Sequence, residues 1–251
     1  MQVGFIGSGN MARALARGWG DPVLCTDSGS GRARALADEL GGEALASNRD
    51  LAERADVVIL AHKPPQLAEV AWEAAGAAKA VVSILASTSL ADVRGAYPGV
   101  PVFRVEPNTA VEVRRGVLVF ADSDAVDTDP QLRDRIKALF GRVGTVVEVP
   151  ERLMEVAGAC TGVGPAYWAL VVEAWVDAAV RRGMPAPQAS ALVTETMAGT
   201  AELLRARDGD TLAVRRAVTS PGGTTARGLA ALERGGLRAA FHTAMDDVIG
   251  G

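Results

Sequence analysis

Two short segments of the sequence combine glycines with polar residues in patterns that suit anionic ligands. The first, VGFIGSGNMA, carries Gly7, Gly9 and Ala12 in the spacing G-x-G-x-x-A. Between a strand and a helix, the first glycine permits a tight turn and the second lets the backbone approach a pyrophosphate, which the helix N-terminus then binds. The segment therefore predicts a dinucleotide site, and the alternative is a tight turn without a ligand.

The second segment, RAVTSPGGTT, lies in the alanine-rich C-terminal part of the chain and ends at Thr225. Its two glycines leave backbone N–H groups uncovered, its neighbours supply hydroxyls, and a helix is predicted to begin just after it. These features predict a nest for a carboxylate. A helix N-cap with a proline turn would explain Ser220 or Thr224 alone. The predicted binding residues are Ser220, Gly222, Gly223, Thr224 and Thr225.

The adenosine end of the dinucleotide site has two conflicting signals. Asp27 lies twenty residues beyond Gly7, where a carboxylate accepts hydrogen bonds from the ribose diol and favours NAD. Arg32 and Arg34 follow closely and could reach the 2′-phosphate of NADP, although they also suit a solvated helix face. The sequence leaves both cofactors open.

Polar residues also follow two apolar runs that read as strands. His62 and Lys63 follow DVVILA, while Glu106 and Asn108 lie in FRVEPNTA. Because ligands of an open α/β sheet lie outside the carboxyl ends of its strands, we expect these residues to face the cofactor, although loop-fixing roles are the alternative. The predicted cofactor contacts are Gly7, Ser8, Gly9, Asn10, Met11, Asp27, Ser28, Arg32, Asn48, Ala61, His62, Lys63, Pro64 and Asn108.

The elements that position these residues alternate between strands and helices up to Pro150. Predicted strands are Gln2–Ile6, Val23–Thr26, Asp56–Ala61, Ala80–Leu85, Pro101–Val105, Val117–Ala121 and Thr145–Val149, and predicted helices are Ala12–Arg17, Arg32–Leu40, Gln66–Ala75 and Gln131–Phe140. This alternation of strands and helices is typical of parallel βαβ units. From Glu151 onward only helices are predicted. We expect an α/β fold with a Rossmann-like domain at 1–150 and an all-helical domain at 151–251.

Composition narrows the class of protein. A net charge of −4 with pI near 5.3 argues against nucleic acid or an anionic membrane as the main partner. Cys25 and Cys160 suggest neither a disulfide framework nor a metal site. The N-terminus lacks signal-peptide form, so a cytoplasmic location is expected. The apolar run Ala166–Val180 contains Glu173 and Asp177 and predicts a buried helix or oligomer interface rather than a membrane span.

Five segments, in order and spanning almost the full chain, resemble the pyrroline-5-carboxylate reductase family. They are GFIGSGNMARAL, LAHKPPQ, VEPNTA, GVGPAYW and RAVTSPGGTTARGLAALERGGLRAA. The resemblance implies NAD(P)H-dependent reduction of the cyclic imine 1-pyrroline-5-carboxylate to L-proline. It also implies that the helical half builds an intertwined homodimer with active sites between subunits, and that such dimers can assemble further.

The resemblance also implies residue roles. The loop ending at Thr225 would hold the substrate's carboxylate, and Thr225 would contact the ring nitrogen. Val163 and Gly164 would line the substrate pocket. Because a protonated cyclic imine is already electrophilic, binding and orientation carry most of the rate.

The sequence departs from the family pattern near the expected active site. Glu106 stands where the family usually has methionine, His62 replaces a small apolar residue, and Val163 interrupts a serine–glycine pattern. An ionised Glu106 could stabilise a cationic iminium or transfer a proton, and His62 could pair with it.

These departures leave alternatives open. The chain could be a paralogous reductase of a related cyclic imine carboxylate, or a silent cofactor-binding sensor, although a sensor needs no carboxylate nest. A β-hydroxyacid dehydrogenase shares the expected plan but uses a helix lysine as acid, and Glu151–Ala159 and Gly164–Arg182 contain no lysine.

Overall fold

The computed structural model describes residues 1–122 and 129–250, and the chain forms two compact units, Met1–Pro165 and Ala166–Gly251. The strands of the first unit are β1 (Val3–Ile6), β2 (Leu24–Thr26), β3 (Glu43–Ala44), β4 (Val57–Leu60), β5 (Val81–Ser83), β6 (Val102–Pro107), β7 (Gly116–Asp122) and β8 (Gly144–Pro150). Its helices are α1 (Asn10–Trp19), α2 (Arg32–Leu40), α3 (Asn48–Arg54), α4 (Leu67–Ala74), α5 (Leu90–Ala96), α6 (Pro130–Gly141) and α7 (Met154–Thr161).

The strands form one eight-stranded sheet in the order β3-β2-β1-β4-β5-β6-β7-β8. Neighbouring strands are parallel except β6 and β7, which run antiparallel. The alternation of strands and helices predicted parallel βαβ units, and this pair departs from that pattern. Only a short 3₁₀ helix at Thr109–Val113 lies between the two strands, and a parallel crossover needs a dozen or more residues.

The sheet is buried on both faces because its central strands are apolar at every position. Along β4, Val57 and Ile59 pack into the core beneath α1, α2 and α6, whereas Val58 and Leu60 pack on the opposite face with α3, α4 and α5. Side chains alternate between the faces of a strand, so a continuous apolar run requires helices on both sides. This layering brings the carboxyl ends of β1, β2, β4, β5 and β6 to one edge.

The predicted Rossmann-like fold is confirmed, and all seven predicted strands are present with shifted ends. Sequence reasoning missed the two-residue strand β3 and the helices α3 and α5. The helix starts could have been found from their N-caps, because the hydroxyls of Ser47 and Ser89 accept from the amides of Asp50 and Asp92.

The described residues of the second unit form helices joined by loops and contain no strand. Its helices are α8 (Gly164–Val180), which begins at the end of the first unit, α9 (Ala186–Arg205), α10 (Thr211–Ala217), α11 (Thr224–Arg234) and α12 (Leu237–Ile249). The boundary expected near Pro150 stays a prediction, since contacts group α7 with the first unit.

The helical run Glu151–Val180 exposes much of its apolar surface. Trp168, Leu170 and Trp175 are 57%, 64% and 55% exposed in the single chain. Counted from Glu151, the run is long and apolar enough to cross a membrane by length and composition, unlike Ala166–Val180 alone. This apolar surface is uncovered in the single chain.

Candidate cofactor and substrate sites

A cleft of about 980 Å³ opens at the carboxyl edge of the sheet, where the loop that contains Gly7 and Gly9 joins β1 to α1. Gly7 adopts φ +98°, and a Cβ there would lie 2.6 Å from the backbone of Ala61. A Cβ on Gly9 would meet nothing within 4 Å. Gly9 also caps α1 without a side-chain hydrogen bond, which leaves the helix N-terminus open to an anion. The cleft therefore fits a dinucleotide pyrophosphate.

Most of the predicted cofactor contacts line this one cleft. They are Gly7, Ser8, Gly9, Asn10, Met11, Asp27, Ser28, Arg32, Asn48, Ala61, His62 and Lys63. Sequence reasoning missed lining residues on α3 and α4, among them Arg49, Trp72 and Glu73. These helices have ordinary amphipathic patterns, and no local signal marks which of their residues face a ligand.

Asn48 joins the two sides of the cleft. Its Oδ1 lies 2.6 Å from the Thr26 hydroxyl at the end of β2, and its Nδ2 donates to Glu73 on α4 over 2.8 Å. This chain of hydrogen bonds links the start of α3 to the end of β2 and to α4 across the cleft.

The Asp27 carboxylate is occupied by its own loop. It accepts hydrogen bonds from the Gly29 amide at 2.8 Å, the Ser30 hydroxyl at 2.9 Å and the Ala33 amide at 2.8 Å. Burial raises the pKa of Asp27, but these bonds outweigh burial and hold the pKa below its ordinary value. Asp27 thus organises the start of α2 and has less capacity left for a ribose diol.

Of the two arginines after Asp27, only Arg32 lines the cleft. Arg34 instead pairs with Asp38 one helical turn later, at 3.1 Å. Of these two arginines, Arg32 is therefore the one placed to reach a phosphate in the cleft.

His62 lines the cleft as predicted but does not pair with Glu106. Its Nδ1 lies 2.9 Å from the Lys63 carbonyl oxygen, which can only accept, so Nδ1 carries the proton. Burial lowers the pKa of His62, and within the described residues its enclosed Nε2 has no hydrogen-bond partner. The predicted pairing of His62 with Glu106 is wrong, because Glu106 is engaged elsewhere.

Pro64 and Asn108 lie outside the residues that line the cleft. The buried Asn108 side chain accepts from the Val117 amide at 3.0 Å and donates to the Thr161 carbonyl at 3.3 Å. It joins the end of β6 to β7 and to the end of α7. Its predicted contact with the cofactor stays a prediction.

Glu106 belongs to an ion cluster beneath α7. Arg104 and Glu106 lie on the same face of β6, and the almost fully buried Arg104 donates to Glu106 at 2.6 Å and to Glu151 at 2.7 Å. Glu151 also accepts from the Leu90 amide at 2.9 Å. Burial raises the pKa of Glu106, and the charge of Arg104 offsets only part of this rise.

Helix α7 packs closely over Glu106. A Cβ on Gly158 would collide with Oε2 of Glu106, so this glycine makes room for the carboxylate. Thr161, held by Asn108, ends the helix, and the partly exposed Val163 and Gly164 follow at the junction with α8. The first unit therefore brings Glu106 and Asn108 together with the junction predicted to line the substrate pocket.

In the second unit, the loop before α11 forms a tight turn. The Gly223 amide donates to the Ser220 carbonyl at 3.0 Å, with Pro221 and Gly222 between them, and Gly222 has φ +67°. Proline followed by a residue with positive φ is the type II arrangement. A Cβ on Gly223 would collide with the Ser220 hydroxyl oxygen.

The uncovered amides of this loop differ from those predicted. The Gly223 N–H is used inside the turn, so the expectation that it is free is wrong. Over the part of the chain that the structure describes, the amides of Thr224, Thr225 and Ala226 at the start of α11 have no acceptor. The first N–H groups of a helix have no intrahelical partner, so the nest consists of these amides.

Comparisons with known proteins agree with this architecture. A family model described as pyrroline-5-carboxylate reductase dimerisation matches residues 151–250, and one described as NADP oxidoreductase coenzyme F420-dependent matches residues 2–87. Pyrroline-5-carboxylate reductase of Synechocystis is 37% identical over 98% of this chain and 94% of its own length. The Corynebacterium melassecola enzyme of the same name is 33% identical over 96% and 94%.

Among solved structures, the pyrroline-5-carboxylate reductase of Coxiella burnetii has a TM-score of 0.87 at 29% identity and covers 99% of this chain and 96% of its own. The Plasmodium falciparum pyrroline carboxylate reductase, solved with NADP bound, has a TM-score of 0.88 at 24% identity over 99% and 95%. At that identity, the second likeness concerns the fold alone.

Proposed function

The chain belongs to the pyrroline-5-carboxylate reductase family, and on that premise we propose that it reduces 1-pyrroline-5-carboxylate to L-proline with NADPH or NADH. The observation that carries the proposal is the joint presence of a dinucleotide cleft and a turn that leaves helix-start amides free for a carboxylate. Reduction of the ring C=N bond takes one hydride at the imine carbon and one proton at nitrogen.

The protein's contribution is binding and orientation. The amides of Thr224, Thr225 and Ala226 bind the substrate's carboxylate, and the Thr225 hydroxyl, which has no partner among the described residues, hydrogen-bonds with the ring nitrogen. Gly7, Gly9 and the start of α1 hold the cofactor's pyrophosphate. When bound, the reduced nicotinamide supplies the hydride.

Glu106 has a proposed electrostatic role in this reaction. Its Oε1 is held by Arg104, which favours the ionised carboxylate, while Oε2 lies against Gly158 next to the α7–α8 junction. A negative charge near the substrate pocket stabilises a protonated ring nitrogen. The ion pair with Arg104 supports this electrostatic role, whereas the burial that raises the pKa of Glu106 supports the alternative of proton transfer.

The proposed assembly is a homodimer built by residues 151–251, supported by the dimerisation model that matches 151–250. The exposed Trp168, Leu170 and Trp175 suit burial by a second copy of the chain, since large uncovered apolar surfaces mark interfaces. A higher oligomer of dimers, no membrane contact and a cytoplasmic location complete the proposal.

A steady-state assay with purified protein tests the function. Loss of reduced-cofactor absorbance with 1-pyrroline-5-carboxylate, run in parallel with NADPH and NADH, is expected with both cofactors. Turnover with a six-membered cyclic imine carboxylate but not with 1-pyrroline-5-carboxylate would favour a paralogous reductase.

We expect Arg32→Ala to lower kcat/KM for NADPH about tenfold and to leave kcat/KM for NADH within about twofold. The reason is that Arg32 lines the cleft near Asp27, where its guanidinium can pair with a 2′-phosphate, while three hydrogen bonds from its own loop already engage the Asp27 carboxylate. Initial rates over a range of each cofactor provide the measurement. Arg34→Ala is the matched control, because Arg34 pairs with Asp38. Equal losses with both cofactors would contradict a 2′-phosphate contact.

We expect Thr225→Val to lower kcat/KM for 1-pyrroline-5-carboxylate about 100-fold, because valine keeps the shape of threonine but removes the hydroxyl. Thr224→Val is the control and should have a much smaller effect, while the Kd for NADPH, measured by calorimetry, should not change in either variant. A Thr225→Val enzyme as active as wild type would exclude the hydroxyl from the reaction.

A further inference from the structure

Arg227 lies where a cation is unfavourable for a helix. It follows Thr224, Thr225 and Ala226 in the first turns of α11, and this first turn contains no acidic residue. The N-terminus of a helix carries a partial positive charge, so acidic residues stabilise it and basic ones oppose it. Residues that break a local rule without a structural gain are often explained by function.

The Arg227 side chain bonds back to the turn. Its Nη1 donates to the Gly222 carbonyl at 2.9 Å, and the Gly222–Gly223 peptide is held on its other side by the bond from the Gly223 amide to Ser220. Both polar groups of this peptide are therefore fixed. Because Gly222 has φ +67°, the peptide is held in an orientation that non-glycine residues rarely adopt.

The charge of Arg227 lies beside amides that have no intrahelical acceptor. Gly223 is the N-cap of α11, so Thr224, Thr225 and Ala226 are the first three residues of the helix and their N–H groups are free of helical bonds. The bond to the Gly222 carbonyl keeps the guanidinium next to this start of the helix, where it adds a positive charge.

We propose that Arg227 is a positioning residue for the substrate's carboxylate, acting by fixing the Gly222–Gly223 peptide and by making the start of α11 more positive. The proposal rests on the proposed function, because it assumes that this turn binds the carboxylate of the cyclic imine. It predicts that Arg227 matters only for ligands that carry a carboxylate.

The test compares two substrates that differ by the carboxylate alone. Arg227→Gln should raise KM for 1-pyrroline-5-carboxylate about tenfold or more with little change in kcat, since a charge-assisted contact is lost. The same variant should reduce 1-pyrroline, which has no carboxylate, at the wild-type rate. Arg227→Lys, which keeps the charge and one donor, should recover part of the loss.

An inhibitor gives a second readout independent of turnover. The Ki of tetrahydrofuran-2-carboxylate should rise in Arg227→Gln by the same factor as KM, and the melting temperature should stay unchanged. Arg234→Gln, at the other end of α11, is the matched control and should behave as wild type.

The possible outcomes distinguish failure of the proposed function from failure of the positioning role of Arg227. A wild-type enzyme inactive on 1-pyrroline-5-carboxylate would overturn the proposed function itself. An active wild type with an unaffected Arg227→Gln variant would overturn the positioning role alone. Equal losses on the two substrates would also overturn it, because they would show a general structural effect.

Discussion

Gly9→Ala is expected to fold as well as the wild type and to bind NADPH about 100-fold more weakly. The added Cβ would meet no protein atom within 4 Å, so the free chain tolerates it. It would occupy the space above the α1 N-terminus that the pyrophosphate needs, and small displacements of a bound group carry large costs. Isothermal calorimetry with NADPH and thermal unfolding without ligand measure the two effects separately.

Gly7→Ala is the matched variant, and unlike Gly9→Ala it should lose stability as well as NADPH binding. Its Cβ would lie 2.6 Å from the Ala61 carbonyl group and 2.7 Å from the backbone nitrogen of His62, in a backbone conformation that disfavours any side chain. We therefore expect a lower melting temperature as well as lost binding. If Gly9→Ala lost stability as much as Gly7→Ala, or bound NADPH normally, the assignment of the open space to the cofactor would be wrong.

Arg104→Met should lower the free energy of unfolding by about 3–5 kcal/mol, the usual cost of breaking a buried ion pair from one side. The variant would leave Glu106 and Glu151 beneath α7 without their shared cation. Denaturant unfolding of the full chain, monitored by circular dichroism, measures this change. The expected loss exceeds that of any surface ion pair, such as Arg34 with Asp38, by several fold.

The double variant Arg104→Met with Glu106→Met controls this prediction and should recover part of the lost stability, because the carboxylate that remains, Glu151, is partly exposed to solvent. The loss of stability in Arg104→Met should also depend on pH. Burial raises the pKa of Glu106 in the folded state, and removing Arg104 raises it further, so the Glu106 contribution is most favourable below its unfolded pKa and is lost as pH rises. The deficit of Arg104→Met should therefore grow between pH 4 and pH 7, and a deficit independent of pH would contradict the role of the buried carboxylates.

The sequence predicted most of the residues that line the cleft because its signals there are local. The turn at Gly7 and Gly9 follows from residue spacing, and the position of His62 follows from the rule that ligands lie at the carboxyl ends of strands. The apolar run of β4 and the helix that begins near Arg32 are the elements that position these residues. Each of these features depends on a few neighbouring residues and not on distant contacts.

What the sequence did not predict is which polar side chains are engaged by other groups of the protein, whether near in sequence or far from it. Glu106 and Asp27 were read as groups that face ligands, yet Arg104 engages the first and the amides of Gly29 and Ala33 engage the second. Hydrogen bonds between residues far apart in sequence, such as Arg104 with Glu151, leave no periodic signal. The reversed strand β7 was missed because the shortness of its connection becomes evident only when both strand ends are known.

Transfer of deuterium from NADPH labelled at the reactive C4 position tests the central claim most directly. The purified protein is incubated with 1-pyrroline-5-carboxylate and the labelled cofactor, and the product is analysed by mass spectrometry and NMR. The account predicts L-proline with one deuterium at C5, the former imine carbon. Binding of NADPH without formation of labelled proline would contradict it.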